Sequence, residues 1–312
     1  MGISLAHHSS ALRRALRRDN QNSSASKRRL ALVEAGYSRA LSSPVQGGKV
    51  QATIGSRARA SLPSRRANIC SVAVDRGALE SNLARIQERV ARAAERSGRE
   101  VEGITFVAVS KTFSAEAICV AYDLGLRHFG ENRVQEWDSK REAVTDLPAT
   151  FHLIGHLQGN KARRAAEIFD SIDSVDSIAL ARRLDAAWGE QGKANVSKLP
   201  ILIEVQLAAE ESKFGVTEAD LPSLIEAILQ LPRLELRGLM AIPPFLENPE
   251  HVRPYFQRLR QLRDDLRQRF EGAADSFREL SMGMSHDFEA AIEDGATQIR
   301  VGTALFGARL AR

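Results

Sequence analysis

Residues 72–312 predict an α/β protein, a single-domain TIM (β/α)8 barrel, and three observations carry that prediction. Strand-like apolar runs alternate with amphipathic helices eight times over about 240 residues, the count and length of such a barrel. Polar residues gather just after the strands, where barrel sites are built. No Gly-x-Gly-x-x-Gly follows the first strand, so a doubly wound sheet, which alternates in the same way, lacks its dinucleotide mark.

The elements follow in order. Leu79, Leu83, Ile86 and Val90 fall at helical spacing within 75–97, and Gly98 is placed to end that helix. Ile104–Ser110 is the first strand, and Ser114 is positioned to cap a helix through Leu124. Strands at 127–132, 150–155 and 170–175 are followed by helices at 134–143, 161–169 and 177–188. Strands at 201–207 and 234–242 precede helices at 217–230 and 254–270. A strand at 277–283, a short helix at 287–294 and a strand at 297–302 complete the count. Trp137 and Trp188 fit packed helix positions, Arg258–Arg269 reads as a charged outer face, and Glu131 and Glu136 read as surface caps or pairs.

The formal net charge of +5 divides unevenly. Residues 1–70 hold thirteen Lys or Arg against Asp19 and Glu34, a net +11, which leaves −6 for the remainder. Residues 1–71 are therefore a basic Ser/Arg-rich extension of a composition that buries little and stays disordered. A transit-type segment, a basic arm for nucleic acid and an over-extended gene start all suit it; it has no apolar core of a secretory signal. The barrel gives no reason to expect nucleic acid or membrane as a partner, and no run approaches the roughly 18 apolar residues of a span. Two cysteines, Cys70 and Cys119, form no disulfide framework and no zinc pattern, and suit a cytoplasmic protein.

Lys111 stands at the end of the first strand. Burial lowers a lysine pKa and frees the amine as a nucleophile, as a Schiff base requires; a lysine that merely snorkels to the rim is the plain alternative. Asn132, His156, Gln158, Ser285, His286, Gly302 and Thr303 fall at other strand ends. The loops after strands seven and eight are where barrels bind phosphate. Here they read Ser281-Met-Gly-Met-Ser285 and Arg300-Val-Gly-Thr303. Gly283 and Gly302 let the backbone approach an anion, the helix near Asp287 points its positive end there, and Ser285, Thr303 and Arg300 add hydroxyls and charge. An amine facing an anion cradle suggests a phosphorylated aldehyde, and pyridoxal 5'-phosphate (PLP) needs both parts.

The segments Val107-Ala-Val-Ser-Lys-Thr112, Phe129-Gly-Glu-Asn-Arg-Val-Gln-Glu136 and His152-Leu-Ile-Gly-His-Leu-Gln-Gly-Asn-Lys161 continue that pattern. So do Ser212-Lys-Phe-Gly215, Arg237-Gly-Leu-Met-Ala-Ile-Pro243, Leu280-Ser-Met-Gly-Met-Ser-His-Asp287 and Arg300-Val-Gly-Thr-Ala-Leu-Phe-Gly307. Together they resemble the PLP homeostasis family, single-domain PLP-binding proteins related to the N-terminal barrel of alanine racemase. The resemblance implies that Lys111 carries PLP as a Schiff base, that Ser285, Arg300, Gly302 and Thr303 surround its phosphate, and that Asn132 and Met240 lie near its ring. It says nothing of the extension.

A racemase needs a base on each face of the cofactor. Racemases that share this barrel take the second from a tyrosine supplied with another domain, and only ten residues follow Gly302. Tyr37, Tyr122 and Tyr255 do not fall at strand ends. The expectation is thus a monomer with no turnover of its own that holds PLP, with apo PLP-dependent enzymes as possible recipients. A PLP-dependent racemase or decarboxylase-like enzyme using His156 or His286 is the alternative. His152 and His156 lie on a strand-to-loop path, which argues against a zinc pair.

Overall fold

The computed structural model describes residues 74–191, 197–208, 214–273 and 277–308. The chain divides into two units, Met1–Ala67 and Asn68–Arg312. The expected extension, Cys70, Tyr37 and the Ser212-Lys213 pair lie outside the described residues.

Helix α1 (Arg76–Arg96) opens the described chain. Asp75 accepts the Ala78 amide at 3.0 Å at its start. At its end the amides of Gly98 and Arg99 return to Glu95 and Ala94, with Gly98 at φ 64, a Schellman closure. Leu79, Leu83, Ile86 and Val90 are buried, each stabilising the fold by about 1.5–3 kcal/mol relative to an exposed side chain.

Eight parallel strands then close in sequence order. They are β1 (Thr105–Val109), β2 (His128–Glu131), β3 (Thr150–Leu153), β4 (Ser171–Val175), β5 (Leu199–Glu204), β6 (Leu234–Met240), β7 (Glu279–Met284) and β8 (Gln298–Val301). Between them lie α2 (Ala115–Asp123), α3 (Val134–Lys140), α4 (Ala162–Ile168), α5 (Ile178–Glu190), α6 (Leu221–Leu229), α7 (Arg253–Arg269) and α8 (Phe288–Glu293). A four-residue helix α9 (Thr303–Phe306), absent from the sequence expectation, follows β8. Helix α1 packs beside α8 and α9. Asn82 donates to the Leu305 carbonyl at 2.9 Å, and Arg89 and Arg96 pair with Glu289 and Glu293. The helix before β1 thus covers the wall that β8 would otherwise leave bare.

Expected and observed elements agree to within a few residues, with instructive differences. Helix α6 starts at Leu221 rather than Thr217, because Thr217 and Asp220 hydrogen-bond each other in a turn and Pro222 favours the first helical turn. Ser114 occupies its N-cap position without a side-chain bond. Trp137 packs as expected, stacked 4.1 Å from Phe151 with its indole N–H on the Ile168 carbonyl. Glu131 departs from expectation: it is fully buried, because this part of β2 is covered on both faces, with Phe129, Gly130 and Glu131 all buried.

Gly238 lets β6 and β7 meet. A Cβ there would lie 1.9 Å from the Glu279 carbonyl oxygen. Gly238→Ala is therefore expected to lower unfolding free energy by about 2–3 kcal/mol, as overpacking does, read from urea unfolding; an unchanged midpoint would contradict that close approach.

Candidate functional site at the C-terminal mouth of the barrel

Strand periodicity sends alternate side chains inward. Gln298 and Arg300 on β8, Ser281 on β7, Asp173 on β4 and His152 on β3 meet inside the barrel. Arg300 donates to Ser281 Oγ at 2.7 Å and to the Ala241 carbonyl at 2.8 Å. Gln298 Nε2 bridges Ser281 Oγ at 3.0 Å and Asp173 Oδ2 at 2.8 Å. Asp173 also meets His152 Nδ1 at 3.0 Å and Ser171 Oγ at 2.5 Å. His152 Nε2 lies 3.0 Å from His128 Nδ1.

The charges in this network are set by pairing. Burial opposes ionisation of both His152 and Asp173, yet each favours charge on the other, so the histidine pKa rises and the aspartate pKa falls. Burial and the neighbouring His152 lower His128 to about 4. His128 therefore favours its neutral form beside His152. Burial lowers the Arg300 pKa, against the pull of Asp173, Glu204 and Asp287, but a guanidinium keeps its charge at any ordinary pH.

Lys111 lies above this network on a turn closed by the Phe113 amide and the Ser110 carbonyl at 3.1 Å. Thr112 has φ 69, the left-handed region that a β-branched residue rarely enters. Such a conformation costs on the order of 1–3 kcal/mol and persists where its surroundings enforce it. Here the Glu136 carboxylate accepts the Thr112 amide. Lys140 Nζ reaches the Ser110 carbonyl at 3.0 Å, the Phe113 carbonyl at 3.1 Å and Glu131 Oε1 at 2.7 Å. Ser110 Oγ binds the same Glu131 oxygen at 2.6 Å. Burial raises the Glu131 pKa against the pull of Lys140. Lys140→Met is expected to cost about 2–3 kcal/mol by stranding that carboxyl, with the loss shrinking as the pH falls and Glu131 takes up a proton. Urea unfolding at two pH values reads both; an equal loss at each would contradict the pairing.

The turn adjoins the β8 loop. Phe113 stacks on Phe306 of α9 with ring centroids 4.8 Å apart. A Cβ on Gly302 would lie 3.3 Å from Val109. Ser285 Oγ accepts the Gly302 and Ala304 amides at 3.3 and 3.2 Å, joining the β7 and β8 loops. Thr303 is exposed beside them, Asn132 is half-buried at the end of β2, and Met240 is buried at the end of β6. The structure thus brings Lys111, Ser285, Gly302 and Thr303 to one sector of the mouth.

Two positions depart from the sequence reading. Arg300 lies inside the barrel with two donor bonds to protein, so its charge acts from beneath the loops. Gly283 is bare for packing: a Cβ there would sit 2.5 Å from that of Ala291. The Asp287 carboxyl accepts the Met284 amide at 2.6 Å, which puts an acid at the start of α8. Sequence reasoning missed Lys140 and the inward polar network; the alternation of Gln298, Arg300 and Gly302 was the available signal for the latter. The rim histidines have protein partners. His156 pairs with Asp176 at 3.2 Å and stacks on Phe214, and His286 contacts the Glu247 carbonyl at 3.0 Å. Among the described residues no group of acids, histidines and cysteines could hold a metal, and no helix is long and apolar enough to cross a membrane.

This fold and site define a barrel of the alanine racemase N-terminal domain class, whose family model matches residues 74–310. The chain belongs to the pyridoxal phosphate homeostasis protein family. It is 46% identical over 227 residues to the Pyridoxal phosphate homeostasis protein of Aquifex aeolicus, covering 73% of this chain and 96% of that one. The protein of that name from Pseudomonas aeruginosa is 44% identical over 231 residues, covering 74% and 96%. The structure of PipY from Synechococcus elongatus with PLP bound is 41% identical with a TM-score of 0.64, covering 73% of this chain and all of that one. Alanine racemase of Clostridium difficile shares the fold at 15% identity and a TM-score of 0.57, covering 75% of this chain and 60% of its own.

Proposed function

We propose that this chain binds PLP as a Schiff base on Lys111 and serves intracellular PLP homeostasis, without turnover of its own. The observation that carries the reading is the pinned turn of Lys111 beside the joined β7 and β8 loops. The residues present fit the cofactor: an amine at a strand end, the Ser285 and Thr303 hydroxyls as anion donors with Ser285 oriented by the Gly302 and Ala304 amides, and the Arg300 charge beneath. When bound, PLP supplies an aldehyde to the amine and an electron-withdrawing ring.

In this reading the chain's own residues bind and orient. Ser285, oriented by the Gly302 and Ala304 amides, donates to the phosphate, and Thr303 adds a hydroxyl from the solvent side. Asn132 and Met240 flank the ring. Glu136 and Lys140 keep the Lys111 backbone in one conformation. The barrel, residues 72–312, is the working unit, acting as a cytoplasmic monomer that holds PLP and releases it to apo-enzymes. His156 and His286 are engaged at the rim, which supports binding over racemisation.

The test is PLP titration of the purified protein followed by absorbance, then addition of L-alanine. The expected result is a new visible band and no D-alanine above a protein-free PLP control. Steady racemisation would replace the homeostasis reading with the enzyme one.

A further inference from the structure

Glu204 ends β5, pairs in register with Met240 and is 6% exposed. Its Oε2 is buried without a hydrogen-bond partner among the described residues. A buried carboxylate with an unsatisfied oxygen costs stability, so such a group persists where it serves a site or holds a proton. The charged groups whose fields reach it are Arg300 from β8 and Asp176 from the loop after β4. Asp176 is itself held by His156 at 3.2 Å, while Asp173 and Asp287 also act on Arg300. Glu204 and Arg300 stay beyond salt-bridge distance, since the guanidinium is committed to Ser281 and Ala241.

We propose that Glu204 is a binding-determining residue of the mouth, whose charge state sets how strongly the loops above Arg300 take an anionic phosphorylated cofactor. The inference rests on the PLP reading above. Ionised, Glu204 offsets the Arg300 charge and repels the incoming anion. Protonated, it leaves that charge uncompensated and can donate a hydrogen bond. Burial pushes its pKa up to about 7, against the pull of Arg300 and with the push of Asp176. The switch therefore operates near neutrality: affinity is higher below that pH and falls above it. Linkage requires in return that the bound anion raise the Glu204 pKa and draw in a proton.

PLP itself titrates, and so does the Lys111 amine, so the informative quantity is the ratio of dissociation constants between wild type and Glu204→Gln at each pH. The amide keeps the shape and cannot ionise. The ratio is expected near one at pH 6 and on the order of tenfold, wild type weaker, at pH 8.5. Calorimetry in buffers of different ionisation enthalpy should show greater proton uptake on binding by wild type than by the amide variant. Asp176→Asn, which removes the second carboxylate, should move the wild-type transition to lower pH, and it keeps the test available should Glu204→Gln fold poorly. A ratio that stays flat with pH, or an amide variant that binds more weakly at high pH, would overturn the proposal while leaving PLP binding intact. A wild type that binds no PLP would overturn the functional reading and this proposal with it.

Discussion

Lys111→Ala is expected to abolish the visible band that PLP gives the wild-type protein while leaving the barrel folded. The amine lies past the last residue of β1 and supplies no rung of the sheet. Its removal should change unfolding free energy by about 1 kcal/mol, the ordinary cost of a single substitution and well short of unfolding the barrel. The Thr112 turn is held by Glu136 and Lys140 through backbone atoms, so it survives the truncation. What disappears is the nucleophile. Residual PLP would be held only by the Ser285 and Thr303 donors and the Arg300 charge and would show the spectrum of the free aldehyde. Paired absorbance and thermal unfolding read the two effects separately. A variant that keeps the band would transfer the chemistry to another lysine.

Asp173→Ala carries the largest expected loss of stability. Asp173 accepts from His152, Ser171 and Gln298 in a fully buried position. Removing one member of a buried pair costs about 3–5 kcal/mol, because the partner is left uncompensated. The pH dependence follows from the two shifts. The raised His152 pKa contributes stability that is fully present below the usual histidine range and is lost as pH rises through its folded value. The lowered Asp173 pKa contributes stability above the usual aspartate range that is lost as pH falls through its folded value. The loss in the alanine variant should therefore be greatest at mildly acidic pH and smaller in alkali, where His152 has given up its proton. Urea unfolding at pH 5.5 and pH 9 measures both. A loss that grows with pH would reverse the assigned charges.

The sequence made the wall of the barrel legible because local rules decide it. The α1 stripe, its Asp75 start and the Gly98 stop are short-range signals, and each strand end could be read within a few residues. The lysine and the two loop motifs were legible for the same reason. The interior was not. Asp173 and Gln298 are separated by 125 residues and meet only once the barrel closes. Nothing near Lys140 shows that its ammonium will fold over the Lys111 turn, and the surface reading of Glu131 failed because that partner was unseen. Arg300 shows the remaining gap: its motif pointed to a phosphate, whereas strand alternation directs its side chain into the barrel, onto Ser281 and Ala241.

The most direct test of the account is borohydride reduction of the PLP-loaded wild-type protein, followed by peptide mapping. The account predicts one pyridoxyl-modified residue, Lys111, at close to full occupancy, with the visible band lost on reduction. Modification of a different lysine, or none at all in a protein incubated with excess PLP, would contradict it.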